Sequence, residues 1–181
     1  MKLGKSRFDV MGQLASLRRY ARSLTRDGGD AEDLVQDTLV KAYERRATFR
    51  PGANLRNWLL SILHNTYVDR VRASRSQSRR AEQAAVLADE AVEPGQDHAV
   101  RLGQIRKAFY SLPEEQREAL HLVAIEGLSY EQAAAALGIP VGTLMSRISR
   151  ARAALRAIED GRPAARTHHL RIVGGGDDSS G

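Results

Sequence analysis

Apolar residues recur every three or four positions along most of this chain, and that spacing predicts helices rather than strands. We predict a first helix over residues 8–26, a second over residues 31–49 and a third over residues 54–75. Their inward-facing stripes are Val10, Leu14, Leu17, Ala21 and Leu24; Leu34, Val35, Leu39, Ala42 and Tyr43; and Leu55, Trp58, Leu59, Ile62 and Val71. Strand patterns are nearly absent, so the predicted fold is all-α.

Helix breaks and caps divide this first half of the chain. Gly28 and Gly29 interrupt the first helix. Asp30 is predicted to cap the second helix, because a short polar side chain accepts hydrogen bonds from the free N–H groups at a helix start. Residues 49–53 form a turn, after which Asn54 caps the third helix. We assign residues 1–80 to one small helical domain.

The composition changes after this domain. Residues 81–100 hold five acids and no Lys or Arg, which is typical of a flexible acidic linker. A second helical domain is predicted over residues 101–160, and the Gly- and Ser-rich residues 161–181 are predicted to be a disordered tail. The first stripes of the second domain are Leu102, Ile105, Phe109 and Leu112, followed by Ala119, Leu120, Val123 and Ala124 up to Gly127.

Residues 129–156 predict two helices joined by a tight turn. Ser129 is a good N-cap, and Gly138 can adopt the left-handed conformation that ends a short alanine-rich helix. Ile139 can fill the gap between the helices, and Pro140 suits the start of the second. A short helix, a turn with glycine and a basic second helix are typical of a helix-turn-helix.

The second helix of this pair has one apolar and one polar face. The apolar stripe is Val141, Leu144, Ile148, Ala151 and Leu155, and the polar face carries Thr143, Ser146, Arg147 and Arg150. In a DNA major groove, Arg can donate two hydrogen bonds to guanine, and Ser or Thr can contact either base type. The plainer interpretation is a solvated surface helix, and the turn before the helix argues against it.

The charge distribution fits a polyanionic partner. The formal net charge is +6 and the sequence pI is about 10.0. Five arginines and no acid lie between Arg70 and Arg80, a run that suits a phosphate backbone. The second helix differs, because its polar face carries Asp33, Gln36 and Asp37. That face is either a solvated surface that complements the helix dipole or a docking face for a basic partner.

Catalytic and metal-binding patterns are missing from the sequence. The chain has no cysteine, and its five histidines lack metal-ligand spacing. No nucleotide-binding loop or nucleophile with a paired base is present. We therefore predict no enzyme activity, no metal and no cofactor. No segment approaches the roughly 18 apolar residues of a membrane span, and the first residues lack a signal-peptide core. We expect a cytoplasmic protein that does not bind membranes.

Two long segments resemble a known family. The first is DAEDLVQDTLVKAYERRATFRPGANLRNWLLSILHNTYVDRVR, which resembles the second conserved region of bacterial sigma factors. The second is LPEEQREALHLVAIEGLSYEQAAAALGIPVGTLMSRISRARAAL, which resembles the fourth. Their order, joined by a short linker, is similar to the layout of extracytoplasmic-function (group IV) sigma factors, and the overall pattern looks most like the alphaproteobacterial general-stress branch.

The resemblance implies a function and partners. It implies a factor that binds core RNA polymerase, directs transcription from particular promoters, serves a stress regulon and is held inactive by an anti-sigma factor. Asp33, Gln36 and Asp37 match the face that binds polymerase; Asn65, Arg70, Arg72 and Arg75 match positions that hold the melted promoter −10 element; Thr143, Ser146, Arg147 and Arg150 match the face that reads the −35 element. Met145 departs from the basic residue of many relatives.

Two other functions remain as alternatives. A stand-alone helix-turn-helix regulator would dimerise on two half-sites without polymerase, but no dimerisation helix is apparent. A sigma mimic would act as a decoy for an anti-sigma factor, and in the stress branch such mimics also carry a receiver domain. A decoy needs no basic recognition helix, whereas this chain retains its arginines.

Overall fold

The computed structural model describes residues 9–50, 52–78 and 97–159, and every regular element within them is helical. The all-α prediction is thereby confirmed. The α-helices of this described part are α1 (Leu14–Thr25), α2 (Gly28–Glu44), α3 (Leu55–Ser78), α4 (Asp97–Ser111), α5 (Glu114–Leu120), α6 (Tyr130–Leu137) and α7 (Val141–Glu159). Short 3-10 turns, Met11–Gln13 and Arg46–Thr48, precede α1 and follow α2.

The break between α1 and α2 lies earlier than the sequence predicted. Arg26 takes a left-handed conformation (φ 62°) and ends α1. Asp27, not Asp30, caps α2, since its Oδ1 accepts a hydrogen bond from the Asp30 N–H at 2.8 Å. Gly28 and Gly29 therefore form the first turn of α2 rather than a break. The predicted cap of α3 is confirmed, because Asn54 Oδ1 accepts from the Asn57 N–H at 3.2 Å.

Most of the predicted stripe residues pack inward, and a few do not. Tyr43 is 64% exposed at the end of α2, where the Arg46 guanidinium lies over its ring at 4.2 Å from the centroid. Ile105 on α4 is 57% exposed, and Ala124 is also exposed. Tyr43 and Ala124 are the last residues of their predicted stripes.

The helix-turn-helix forms as predicted. Ser129 caps α6 through a capping box, in which its side chain accepts from the Gln132 N–H and the Gln132 side chain accepts from the Ser129 N–H. Gly138 ends α6 with φ 65°, and Ile139 packs against the core between α6 and α7. Gly127 also has a positive φ, 68°, and ends the preceding helical segment.

The segment between α5 and α6 contains a π-helical turn, His121–Ile125. The Glu126 N–H donates to the His121 carbonyl five residues back, at 3.0 Å. This wider turn is a common local distortion of an α-helix and is often found at functional sites. It sets the direction in which the Glu126 side chain leaves the helix.

The two halves of the chain pack together. One hydrophobic cluster runs from α1, α2 and α3 into α5, α6 and α7, and α3 lies against α6. Its fully buried members include Leu17, Leu34, Leu59, Leu63, Ala119, Leu122 and Leu144. A second, smaller cluster joins Leu112, Leu120 and Ala151. The predicted domains therefore share a core in this structure.

Some predicted segments lie outside the described residues. Most of the linker assigned to residues 81–100 is among them, and the tail assigned to residues 161–181 is entirely so. The last part of the assigned linker is helical, because α4 begins at Asp97. Among the described helices, none is both long enough and apolar enough to cross a bilayer.

Candidate nucleic-acid interface and docking face

The polar face of α7 lies opposite its buried stripe. Leu144, Ile148 and Ala151 are buried, while Thr143, Ser146 and Arg150 are exposed. The helical period of about 3.6 residues produces this separation. Three of the four side chains predicted to read duplex DNA are thus free to enter a groove.

Arg147, the fourth of these side chains, is held by a neighbour. Its Nη2 lies 3.0 Å from Glu115 Oε2 on α5, and only 19% of its side chain is exposed. Glu115 and the polar face of α7 line one shallow cavity with Gly142. This role of Glu115 was not predicted from the sequence, because an acid in the first turn of a helix is ordinarily explained by the helix dipole.

The polar face of α2 is exposed at all three predicted docking positions, Asp33, Gln36 and Asp37. Two of them contact α3: Arg70 Nη2 lies 2.6 Å from Asp37 Oδ2 and 2.9 Å from the Asp33 carbonyl oxygen. Lys41 and Asp69 make a looser pair at 3.8 Å between the same helices. The structure therefore places Arg70, a predicted contact of the −10 element, beside Asp33 and Asp37, which are predicted contacts of polymerase.

The remaining −10 candidates lie along α3. Asn65 and Arg72 are exposed, whereas Arg75 lies in the part of α3 beyond the described side chains. Asn65 is next to His64, which is buried and lies 3.2 Å (Nδ1) from the Tyr20 hydroxyl. Burial, and then the charge of Arg147, lower the pKa of His64 to about 4. Asn65 is thus exposed to solvent beside His64, which is uncharged and is held by its contact with the Tyr20 hydroxyl.

The turn before α3 is held by an aromatic pair. Phe49 and Trp58 have ring centroids 5.3 Å apart and an interplanar angle of 55°. Trp58 is half-buried and packs against the main cluster. This agrees with the predicted inward-facing position of Trp58, and the packing fixes the start of the helix that carries Asn65.

A buried polar cluster, which the sequence analysis missed, joins α1 to Glu126. The Glu126 side chain is fully buried; it accepts hydrogen bonds from the Ser16 hydroxyl and, at 3.2 Å each, from Nε and Nη2 of Arg19. His121 Nε2 lies 3.4 Å from the same carboxylate. Burial alone raises the pKa of Glu126, but its contacts with His121, Ser16 and Arg19 outweigh burial and lower the pKa to about 2.

The comparisons with known proteins agree with this arrangement. The family model for Sigma-70 region 2 matches residues 12–77, and that for Sigma-70 region 4 matches residues 102–155. A curated relative, the ECF RNA polymerase sigma factor EcfG of Rhodopseudomonas palustris, is 40% identical over 152 residues, which cover 84% of this chain and 83% of the relative.

Solved structures share the fold as well. The sigma factor RpoE of Bartonella quintana, in complex with the anti-sigma factor NepR, matches with a TM-score of 0.72 and 37% identity, covering 83% of this chain and 93% of that one. CnrH, in complex with the cytosolic domain of CnrY, matches with a TM-score of 0.59 and 32% identity, covering 84% and 85%. The chain therefore belongs to the extracytoplasmic-function group of sigma-70-family RNA polymerase sigma factors.

Proposed function

We propose that this sigma factor contacts core RNA polymerase through α2, holds the melted −10 element with α3 and reads the −35 element with α7. The observation that carries the proposal is the exposure of three polar faces, one on each of these helices, within the two matched regions. The chain supplies positioning and base contacts, and polymerase supplies catalysis.

The −35 contact is assigned to Thr143, Ser146, Arg147 and Arg150. Arg147 and Arg150 can each donate two hydrogen bonds to a guanine, and the hydroxyls of Thr143 and Ser146 can contact a base or a phosphate. The exposure of Thr143, Ser146 and Arg150 supports this assignment. Arg147 must first exchange its Glu115 partner for DNA.

The −10 contact is assigned to Asn65 and to the arginines after it. An exposed amide has a donor and an acceptor, which can bind the edge of an unstacked base. Arg70, Arg72 and Arg75 would bind the phosphates of the same strand. The fixed start of α3, held by Phe49 and Trp58, supports a rigid platform for that strand.

The polymerase contact is assigned to Asp33, Gln36 and Asp37. These side chains lie on consecutive turns of one exposed helix face. Their two carboxylates suit a basic helix of a partner, and binding such a partner would compete with Arg70 for Asp37.

Regulation by an anti-sigma factor is the last part of the proposal. The similar structure of RpoE was solved in complex with the anti-sigma factor NepR, and that of CnrH in complex with the cytosolic domain of CnrY. We infer an anti-sigma factor as a partner of this chain and action in the cytoplasm, where core polymerase is present. We also infer a stress regulon, as the resemblance to the general-stress branch implies.

Transcription from a promoter library tests the proposal. The purified chain and core polymerase are mixed with templates whose −35 and −10 positions are randomised, and the transcripts are sequenced. We expect transcripts that need both proteins and share two sequence elements. Specific binding of a dimer of the chain to DNA, without any transcripts, would instead identify a stand-alone regulator.

A further inference from the structure

We propose that Glu115, in the first turn of α5, is a further specificity-determining residue for the −35 element, and that its carboxylate accepts a hydrogen bond from the amino group of a cytosine. This cytosine belongs to the base pair next to the guanine that Arg147 contacts. The inference rests on the proposed function, because it requires that the polar face of α7 reads duplex DNA.

The carboxylate of Glu115 lies on the proposed reading face, although Glu115 belongs to another helix. Its Oε2 lies 3.0 Å from Arg147 Nη2. Glu115 also lines the same shallow cavity as five residues of α7, which are Gly142, Thr143, Ser146, Arg147 and Arg150. A DNA groove that receives this face of α7 therefore also meets the carboxylate of Glu115.

Glu115 is also the acid of α5 that is exposed enough to reach a base. Its side chain is 70% exposed. A second acid of α5, Glu118, lies near Arg147 as well: burial and then the charge of Glu114 raise the pKa of Glu118 to about 7, and the charge of Arg147 opposes this rise. Glu118 is only 6% exposed, so of these two acids Glu115 is the one that can contact DNA.

The separation of the two charged groups is close to the spacing of stacked bases. Successive bases of a B-DNA strand lie about 3.4 Å apart along the helix axis, and the Glu115 Oε2 and Arg147 Nη2 atoms lie 3.0 Å apart. When the guanidinium turns to the edge of a guanine, its former carboxylate partner is left about one base step away. The next base pair is therefore within reach of Glu115.

The chemistry of a carboxylate favours cytosine at that base pair. On entering a groove, the Glu115 carboxylate exchanges Arg147 and part of its water for DNA, and a charge that loses its hydration needs a new hydrogen-bond donor. Cytosine presents its N4 amino group in the major groove, whereas guanine and thymine present acceptor oxygens. Adenine has an amino group, but its neighbouring N7 is an acceptor that repels a carboxylate.

Glu115 therefore acts partly by rejecting other sequences. A site that places an acceptor opposite the carboxylate leaves a negative charge in the groove without a donor. Such a penalty against the wrong partner contributes to specificity in the same way as a favourable contact with the right one. Arg147 and Glu115 together would read two neighbouring base pairs.

Selection of −35 sequences by the full chain bound to core polymerase tests the proposal. A promoter obtained from the transcription library is randomised only at its −35 positions, and the duplexes that remain bound are sequenced. We expect the parent chain to prefer guanine at one base pair and cytosine at the next. The cytosine preference should be at least about fivefold, the lower end of what one matched base pair contributes.

Replacement of Glu115 by Gln isolates the role of the carboxylate. An amide both donates and accepts hydrogen bonds, so in Glu115→Gln the cytosine preference should fall to about twofold or less. The guanine preference should stay. The matched control is Glu114→Gln, which removes the same charge from the same turn of α5 at a position outside the cavity lining. This control should keep both preferences, and circular dichroism melts identify any variant that fails to fold.

Several results would overturn the proposal. An unchanged cytosine preference in folded Glu115→Gln would leave Glu115 as an ion-pair partner of Arg147 and no more. A parent chain that prefers guanine but has no neighbouring cytosine preference would also contradict it, as would an equal loss in Glu114→Gln. Failure of the proposed function is distinguishable, because the parent would then show no preference at any −35 position. Failure of the inference alone leaves the guanine preference, and its loss in Arg147→Ala, intact.

Discussion

Arg70 on α3 and Asp37 on α2 are joined by an ion pair of 2.6 Å, although the proposed function gives them different partners. Both side chains are partly exposed, so the pair itself stabilises the fold by at most about 1 kcal/mol. The pair matters because a basic partner and Arg70 would compete for the Asp37 carboxylate. A basic partner that takes Asp37 releases Arg70 for a phosphate, so polymerase binding and −10 binding should favour each other.

Replacement of Asp37 by Arg tests the docking face. Asp37→Arg should lower the affinity for core polymerase at least tenfold, because it places a like charge against a basic partner. Binding of the isolated chain to −35 duplex should stay unchanged. Fluorescence anisotropy with core polymerase and with duplex measures the two affinities. The matched control is Glu32→Arg, the same charge reversal elsewhere on α2; equal losses in both variants would contradict the assignment.

Truncation of Arg147 tests the −35 face. Arg147→Ala should weaken binding to −35 duplex by about 1–3 kcal/mol and relax the preference at one base pair, provided that the guanidinium contacts a base edge. A gel-shift series over single base-pair changes measures both effects. Arg106→Ala, an exposed arginine of α4 outside the proposed interface, is the control. Parent-like affinity and preference in Arg147→Ala would remove this residue from the readout.

Loss of the Asn65 amide tests the −10 pocket. Asn65→Ala should slow promoter opening more than it weakens the first binding step, because the unpaired base forms its contacts only after melting. A permanganate-footprinting time course measures opening, and duplex binding measures the first step. Normal melting kinetics would exclude Asn65 from base capture.

The buried Glu118 predicts a pH dependence of stability. Burial, and then the nearby charge of Glu114, raise the pKa of Glu118 from 4.5 to about 7. Between these values the folded chain retains a proton that the unfolded chain has lost, so this group makes stability fall as pH rises from 4.5 to about 7. Glu118→Gln cannot ionise and should melt at a higher temperature than the parent at pH 8.

Thermal melts at pH values from 4.5 to 8 check the direction in which stability changes with pH. The difference between Glu118→Gln and the parent should shrink toward pH 4.5, where Glu118 is protonated in the folded chain. Glu44→Gln, at an exposed position of α2, should show no such trend. A difference that does not change with pH would mean that Glu118 acts through packing alone.

Local patterns predicted the helices and most of the candidate faces. Capping chemistry and the helical period act over a few residues, so Ser129, Gly138 and the stripe of α7 could be identified directly. The same locality explains the errors. Asp27 and Asp30 are both good caps, and the choice between them depends on the conformation of Arg26.

Contacts between residues that are far apart in the sequence leave no local pattern from which they can be predicted. The Arg19–Glu126 pair spans 107 residues, and the Arg147–Glu115 pair joins two helices whose relative position is set by packing. Each of these charges alone looks like an ordinary surface residue. The sequence therefore predicted which faces are polar, but not which of them meet, and it gave no sign that the two regions share a core.

The π-helical turn, His121–Ile125, makes the contact between Glu126 and α1 sensitive to the number of residues in the turn. Removing one residue from it would restore the ordinary α period and rotate Glu126 by about 100° around the helix axis. The carboxylate would then point away from Arg19. Deleting a single codon within this turn would thus separate a buried carboxylate from Arg19 and Ser16 and leave its charge without those two partners.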